Sequence, residues 1–456
     1  MNSAASTSNQ TVTRRDFLKS SSVVLAGAAT AAQLPFVVTS HAAPDDPIRI
    51  GLIGCGGRGT GAVADALGAA TDVKYPNAGY HTENITSGGK PLAANIKVAA
   101  LADVFKDRLT ACREQLSKLE MNIPAEMCFV GFDAYQKVIQ SGVDVVLLAA
   151  PPGFRPAHLK ACVEAGKHVF CEKPVAVDGP GVRSVLQTVE EARKKKLTLV
   201  SGLCWRYSTA ERATFQQVHD GAIGKIVSLA STYLTGPIWN FARQPGWSDM
   251  EYQMRNWYYY AWLSGDHIVE QAVHSIDKMA WAMNDEMPVK ASAVGGRQVR
   301  NTPEFGHIYD HFSVTYDYAN GVKGFHSCRQ QQGCANETKD YIYGSKGNCE
   351  IEGSRRVHVI RGEQEWKYSG TYNNMYQAEH DELFASIRKS EPINDGIRMT
   401  HSTLMAILGR MAAYTGQVIT WEQALNSQED LLPPKLDWTV SLKEPEIAMP
   451  GMTKFV

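Results

Sequence analysis

Short apolar runs recur through the first half of the chain, each followed by a stretch with helical spacing. Residues 48–53 open the series, and residues 96–103, 143–150 and 168–171 continue it. The run at 143–150 is apolar at nearly every position, which suits a parallel strand covered on both faces better than a half-exposed one. Strands alternating with helices predict an α/β fold with a Rossmann-type doubly wound parallel sheet and a ligand above its carboxyl ends. Past residue 203 the pattern changes. Residues 226–233, 311–318 and 321–328 alternate or are β-branched, and Asn320-Gly321 between the last two marks a hairpin turn, so a second sheet is expected there. Residues 379–389 and 400–414 have helical patterns, and the Pro-containing tail after residue 432 is expected to wrap a surface.

The first apolar run enters directly into Gly54-Cys55-Gly56-Gly57-Arg58-Gly59, a G-x-G-x-x-G pattern between a strand and helix formers. In that context Gly54 permits a tight turn, Gly56 lets the backbone approach a pyrophosphate, and Gly59 lets helix and strand pack closely. The helix N-terminus adds unpaired N–H groups for the anion. An acidic residue is expected at the end of the second strand to take the ribose hydroxyls. The stretch 71–95 is rich in Gly, Pro, Asn and Thr and reads as a long inserted loop, so the strand beyond it supplies the residue, Asp103. Its charge would repel a 2′-phosphate, favouring NAD over NADP.

Composition narrows the choice. With 46 Lys and Arg against 47 Asp and Glu, no net field would gather nucleic acid or an acidic membrane surface, and the one basic run, 193–196, reads as a solvated helix end. The nine cysteines form no C-x-x-C pair, and no disulfide framework is expected. At the start, Arg14-Arg15-Asp16-Phe17-Leu18-Lys19 resembles a twin-arginine export signal, and Ser40-His41-Ala42 offers the small residues of a cleavage site. The intervening stretch holds Gly27, Gln33 and Pro35 and is too weakly apolar to span a bilayer. The expected organisation is a signal segment at 1–42, an NAD-binding domain at 46–203 and a substrate and oligomerisation domain at 204–456. The mature protein is expected outside the cytoplasm, with no membrane span.

Several elements together resemble the glucose-fructose oxidoreductase/inositol dehydrogenase family, Gfo/Idh/MocA. They are the glycine turn, Pro151-Pro152 followed by His158, the run from Ala165 into Glu172-Lys173-Pro174, Trp205-Arg206, and the cluster from Glu270 to Asp277. The resemblance implies a second α+β domain with an open, mostly antiparallel sheet, a homo-oligomer (dimer or tetramer), and hydride transfer at a sugar-like carbon with tightly held NAD. It places Lys173 between nicotinamide and substrate, where a partly desolvated ammonium is suited to relay the hydroxyl proton. It further implies cofactor contacts from Gly54, Cys55, Gly56, Gly57, Arg58, Gly59, Asp103, Pro151, Pro152, His158, Glu172 and Lys173. Substrate contacts would come from Trp205, Arg206, Glu270, His274 and Asp277. Glu270 stands where the family usually has Asp, and Ala272 where it usually has Gly.

Residues 265–277 read as one helix, with Val269, Val273 and Ile276 as a buried stripe and His267, Glu270, Gln271 and His274 together on a neighbouring face. Three readings of that face are open. His274 is the base at the reacting hydroxyl and Glu270 positions substrate; or His267, Glu270 and His274 share a divalent ion, although no metal is expected; or the face merely hydrogen-bonds. The aromatic stretch around Trp239, Trp247, Trp257 and Tyr258-Tyr259-Tyr260 fits stacking on sugar faces and filling a core equally well. The functional expectation is NAD-dependent oxidation of a sugar or cyclic polyol. The alternatives are glycoside cleavage through transient oxidation and elimination, or a non-catalytic sugar-binding relative.

Overall fold

The computed structural model describes residues 46–74, 81–89, 92, 93 and 95–456. The export signal and cleavage site read from the sequence lie outside the described residues. Six strands, β1 (Ile48–Ile53), β2 (Ile96–Asp103), β3 (Cys128–Val130), β4 (Val145–Leu148), β5 (His168–Cys171) and β6 (Leu199–Ser201), form one sheet in the order β3-β2-β1-β4-β5-β6. Every pairing in it is parallel. The strand order reverses between β1 and β4, and a doubly wound sheet opens its ligand crevice at that switch point. β4 explains why its sequence is apolar throughout. Val145 and Leu147 belong to one core with Val63, Leu67 and Leu109, while Val146 and Leu148 belong to another with Leu159 and Val185. Those partners come from α1 (Gly57–Leu67), α2 (Lys106–Ser117), α3 (Arg155–Glu164) and α4 (Gly179–Lys194), which cover the two faces.

The stretch expected to be a loop after α1 contains an antiparallel hairpin, Ala70–Lys74 with His81–Thr86. Its Thr, Val and Ile residues carry the strands, whereas the Pro, Asn and Gly content that suggested a loop is concentrated between and after them.

The second sheet has nine strands among the described residues: β7 (Ile226–Thr235), β8 (Lys290–Gly296), β9 (His311–Asp317), β10 (Lys323–Gln330), β11 (Glu337–Gly344), β12 (Asn348–Glu352), β13 (Val357–Arg361), β14 (Glu365–Lys367) and β15 (Ile419–Thr420). Their order is β14-β13-β12-β11-β7-β10-β9-β8-β15, and only the central β7–β10 pairing is parallel. The β9–β10 hairpin turns at Asn320-Gly321, where Gly321 has φ +86° and Tyr318 N–H bonds the Val322 carbonyl at 3.0 Å. One face carries the core, closed by α6 (Val273–Ala282) and α8 (Gly396–Thr415); Ile276, Leu404 and Leu408 pack there with Phe312, Val314 and Cys328. The other face leaves Val294, Phe325 and Tyr343 exposed.

The last part of the chain returns to the first sheet. Asn394 bridges to Leu199 in parallel, Asp395 accepts the Ser201 N–H at 3.1 Å, and α7 (Met375–Lys389) packs on α1. The segment assigned by sequence to a separate second domain therefore contributes to both layers. Tyr258, Tyr259 and Tyr260 are fully buried, so for these three the core-filling reading is the one the fold realises. The tail packs back as expected: Trp438 lies 4.7 Å from Phe132, and Tyr309 OH donates to the Ala448 carbonyl. No helix among the described residues is long and apolar enough to cross a membrane.

Candidate active site

The carboxyl ends of β1, β2 and β4 bring Gly54, Asp103 and Pro151 to one cleft with His158, while Glu172 and Lys173 follow β5 outside its lining. Gly54, just past β1, has φ +99°, and a Cβ there would stand 2.5 Å from Ala150 N, so the turn and the β4 exit are in direct backbone contact. Gly59 is tighter still, since its Cβ would lie 1.8 Å from the Gly54 carbonyl oxygen. Gly56 is the opposite case: nothing lies within 4 Å of a Cβ built on it. Two glycines of the fingerprint are thus required by packing, and the third faces open space at the N-terminus of α1, where unpaired N–H groups and the helix dipole favour an anion.

Asp103 ends β2 and is buried. Its Oδ2 accepts the Cys55 N–H at 2.7 Å, stapling the second strand to the glycine turn, and its Oδ1 accepts the Phe105 N–H at 2.8 Å. Burial raises its carboxyl above the ordinary range, against the pull of Arg108 and of the two N–H donors. Gly54, Asp103, Arg108, Phe132, Pro151 and His158 line the cleft that opens here. His158 stacks on Tyr135 at 4.3 Å, and burial lowers its imidazole to about 3, so it is neutral and apolar in effect. Pro152 is buried behind Pro151 at the start of a short 3₁₀ turn.

Sequence reasoning missed Arg108. It lies in the first turn of α2, and its guanidinium sits 5.0 Å over the Phe105 ring and 3.4 Å from the Arg255 carbonyl. The signal was available, because the strand that ends in Asp103 leads straight into a helix whose first turn must lie beside that carboxylate.

Beyond β5, Lys173 reaches across to the second layer. Its Nζ donates to the Glu270 carbonyl oxygen at 2.5 Å and lies 3.3 Å from Glu270 Oε1, with both side chains little more than a tenth exposed. Asp266 caps α5 (His267–Glu270), accepting the His267 N–H at 2.5 Å, the Tyr309 N–H at 2.9 Å and the Tyr414 hydroxyl at 2.6 Å. The expected single helix is interrupted between α5 and α6. At the break the Ala272 N–H bonds the His267 carbonyl five residues back, and Gln271 is held by Gln330 Nε2 at 2.8 Å. Gln330 also donates to the Tyr258 hydroxyl at 2.9 Å. Gln330 is another residue that sequence reasoning did not single out; it stands at the end of β10 with no local motif around it.

The break separates residues that a continuous helix would have aligned. His267 is buried 5.1 Å from the Phe312 ring, in the core of the second layer. No group of His, Cys, Asp and Glu among the described residues is arranged to hold a metal, which corrects the reading of His267, Glu270 and His274 as a shared metal site. His274 is half-buried at the start of α6, with a buried Nδ1 that has no partner. Burial first, then the Lys173 charge, hold its imidazole well below the ordinary range, so it is a neutral base at neutral pH.

Arg206 and Asp277 spend their polar atoms on each other. Arg206 Nε donates to both Asp277 oxygens at 2.9 and 3.0 Å, Asp285 Oδ1 lies 2.6 Å from Arg206 Nη2, and Ser402 donates to Asp277 at 2.7 Å. Both residues of this pair are buried. Trp205 lies beneath the Lys278 ammonium at 4.4 Å, and Lys278 in turn pairs with Asp340 at 2.9 Å. This group braces the second layer, apart from the Lys173–Glu270 pair. The nine cysteines are free thiols, and only Cys334 is exposed.

Comparison with known proteins agrees with this architecture. Residues 48–203 match the model of the oxidoreductase family with an NAD-binding Rossmann fold, and residues 212–350 match the GFO/IDH/MocA C-terminal domain. The chain is 22% identical over 353 residues to a myo-inositol 2-dehydrogenase of Thermotoga maritima, covering 76% of this chain and 90% of that one. It is 24% identical over 267 residues to an inositol 2-dehydrogenase of Rhizobium meliloti, covering 56% and 74% respectively. Among solved structures, the aldose-aldose oxidoreductase of Caulobacter crescentus complexed with glycerol superposes with a TM-score of 0.61 at 18% identity, covering 82% of this chain and 99% of that one. With both of the family's domains matched in order and a six-stranded parallel sheet beside a nine-stranded mixed one, the chain belongs to the Gfo/Idh/MocA oxidoreductase family.

Proposed function

We propose that the protein oxidises a hydroxyl carbon of a sugar or cyclic polyol, with NAD in the crevice above β1 and β4. What supports this reading is the contact of Lys173 with Glu270, one residue past Glu172, which bonds Arg58 of the glycine turn, together with Gly56 open toward the anion position. NAD, when bound, supplies the hydride acceptor. The chain's own residues do the rest. The helix N-terminus of α1 holds phosphates, and Asp103 sits where a ribose diol would be read, its charge disfavouring a 2′-phosphate. Arg108 beside it offsets part of that charge, so the preference for NAD is one of degree.

At the reacting end, Glu270 fixes the Lys173 ammonium through two oxygens, leaving its third N–H to orient a substrate oxygen. His274, kept neutral by burial and by Lys173, takes the hydroxyl proton, while the Lys173 ammonium holds the substrate oxygen. The names of the relatives, inositol dehydrogenases among them, support a polyol or sugar as substrate. The helix-free face of the second sheet, with Val294 70% and Phe325 48% exposed, supports self-association. The twin-arginine segment supports export of the folded protein with its cofactor inside, which would suit tight binding. The test is incubation of purified protein and NAD with a panel of sugars and polyols, myo-inositol included. Net NADH formation with at least one member is expected. No NADH with any of them, while glycosides release their aglycone, would overturn this reading in favour of redox-neutral cleavage.

A further inference from the structure

Arg58 stands in the first turn of α1, the helix whose N-terminus faces the open space at Gly56, and its guanidinium meets three carboxylates, from α1 itself, from the end of β5 and from α7. Nε donates to Glu172 Oε1 at 2.5 Å, Nη1 to Asp65 Oδ2 at 3.1 Å and Nη2 to Glu379 Oε1 at 3.1 Å. All three acids are buried, and the guanidinium lies over the Tyr376 ring at 5.3 Å. Burial pushes the Glu379 carboxyl up, against the pull of the Arg58 guanidinium.

The consequence lies one residue further on. Glu172 precedes Lys173, and its second oxygen, Oε2, accepts the Lys173 main-chain N–H at 3.0 Å. Gly202 packs flat on the same carboxylate, since a Cβ there would stand 2.6 Å from Oε2, so Glu172 has no room to swing. A continuous series of short bonds therefore runs from the glycine turn through Arg58 and Glu172 to the backbone of Lys173. From there the Lys173 side chain reaches Glu270. Glu379, on α7 from the far end of the chain, holds the guanidinium in its place on that path.

We infer that Arg58 and Glu379 are positioning residues for Lys173, fixing its main chain relative to the phosphate-binding turn so that its ammonium meets the reacting end of a dinucleotide in one place. This rests on the proposed function for what Lys173 meets, but not for the link itself. Reaction geometry is sensitive to displacements of about 1 Å, which is the scale such a link controls.

The test uses the full chain and the variants Arg58→Lys and Glu379→Gln. Lys cannot reproduce a three-way guanidinium fork, whereas Gln keeps the size of Glu379 and so preserves the fold. Two quantities are measured: acylation of Lys173 by acetic anhydride relative to exposed Lys160, read by mass spectrometry, and NADH affinity by fluorescence titration. In both variants Lys173 acylation is expected to rise about fivefold or more, and in Glu379→Gln NADH affinity stays within about twofold, because local restraint and not the phosphate site is lost. Unchanged Lys173 acylation would overturn the inference. So would NADH affinity of Glu379→Gln falling in step with the change in labelling, which would assign the cluster to the phosphates. A wild-type protein that binds no NADH would instead defeat the proposed function, and the labelling comparison would still decide the link.

Discussion

At the scale of single residues, the site depends on one ammonium held by one glutamate. Lys173 Nζ sits on the Glu270 carbonyl oxygen at 2.5 Å, and neither the lysine nor the glutamate is freely exposed. Lys173→Ala is expected to lower kcat by about 100-fold or more, the range of a positioned acid–base group, while NAD affinity changes by less than about threefold. Steady-state kinetics beside a binding titration check this, and retained turnover would remove Lys173 from the chemistry. Lys173, Glu270 and Asp103 were legible in the sequence because each sits at the end of a strand or beside a recognisable motif. Arg206 and Asp277 show the limit of such reading. Their motifs were visible, but whether a charged side chain faces solvent, ligand or another charge is settled by tertiary packing, and here they pair with each other.

At the scale of elements, the glycine turn separates two roles that one motif conceals. Gly59→Ala would drive a methyl into the Gly54 carbonyl, where its Cβ would be 1.8 Å away, so loss of thermal stability and of dinucleotide binding together is expected. Gly56→Ala meets nothing within 4 Å, so its melting temperature should match wild type while NAD affinity drops by about tenfold or more as the methyl occupies the phosphate approach. Equal thermal penalties in the two variants would contradict these assignments. The turn was readable because strand, glycines and helix follow one another within a few residues. The break between α5 and α6 was not: residues 266–277 contain no Pro or Gly, and local propensity favours one helix. A bond from Gln330, 59 residues away in sequence, holds Gln271 at the break, and such long-range contacts override propensity. The hairpin after α1 escaped for the converse reason, its turn residues masking short strands.

At the scale of the whole molecule, the fold buries many neutral imidazoles. Burial lowers His158, His307 and His326 to about 3, and His267, His274 and His380 also lie well below the ordinary range. An unfolded chain protonates these groups near pH ~6.5, and the fold does not, so stability is lost progressively as pH falls from ~6.5 toward ~3. Asp266, its carboxyl raised by burial to about 6, works the other way, as do the raised carboxyls of Asp103, Asp178, Asp340, Glu379, Asp381 and Glu444, which moderate the fall without titrating at the histidines' unfolded value. Melting temperatures should be level above neutrality and fall below pH ~6.5; a melting temperature unchanged down to pH ~4.5 would contradict this account of the buried histidines. The two-layer plan was legible from the switch between continuous and alternating apolar runs. The return of residues 375–395 to the first sheet was not, because a helical pattern does not say which of two cores its apolar face meets.

The claim on which the functional reading depends is that a dinucleotide lies along the crevice, phosphates at Gly56 and nicotinamide beside Lys173. Fluorescence titration of the full chain with NADH addresses it directly, run with wild type and with Gly56→Ala. Saturable one-site binding by wild type, weakened by about tenfold or more in the variant, is the expected result. A wild-type protein that neither carries a dinucleotide as purified nor takes up NADH on titration would contradict it.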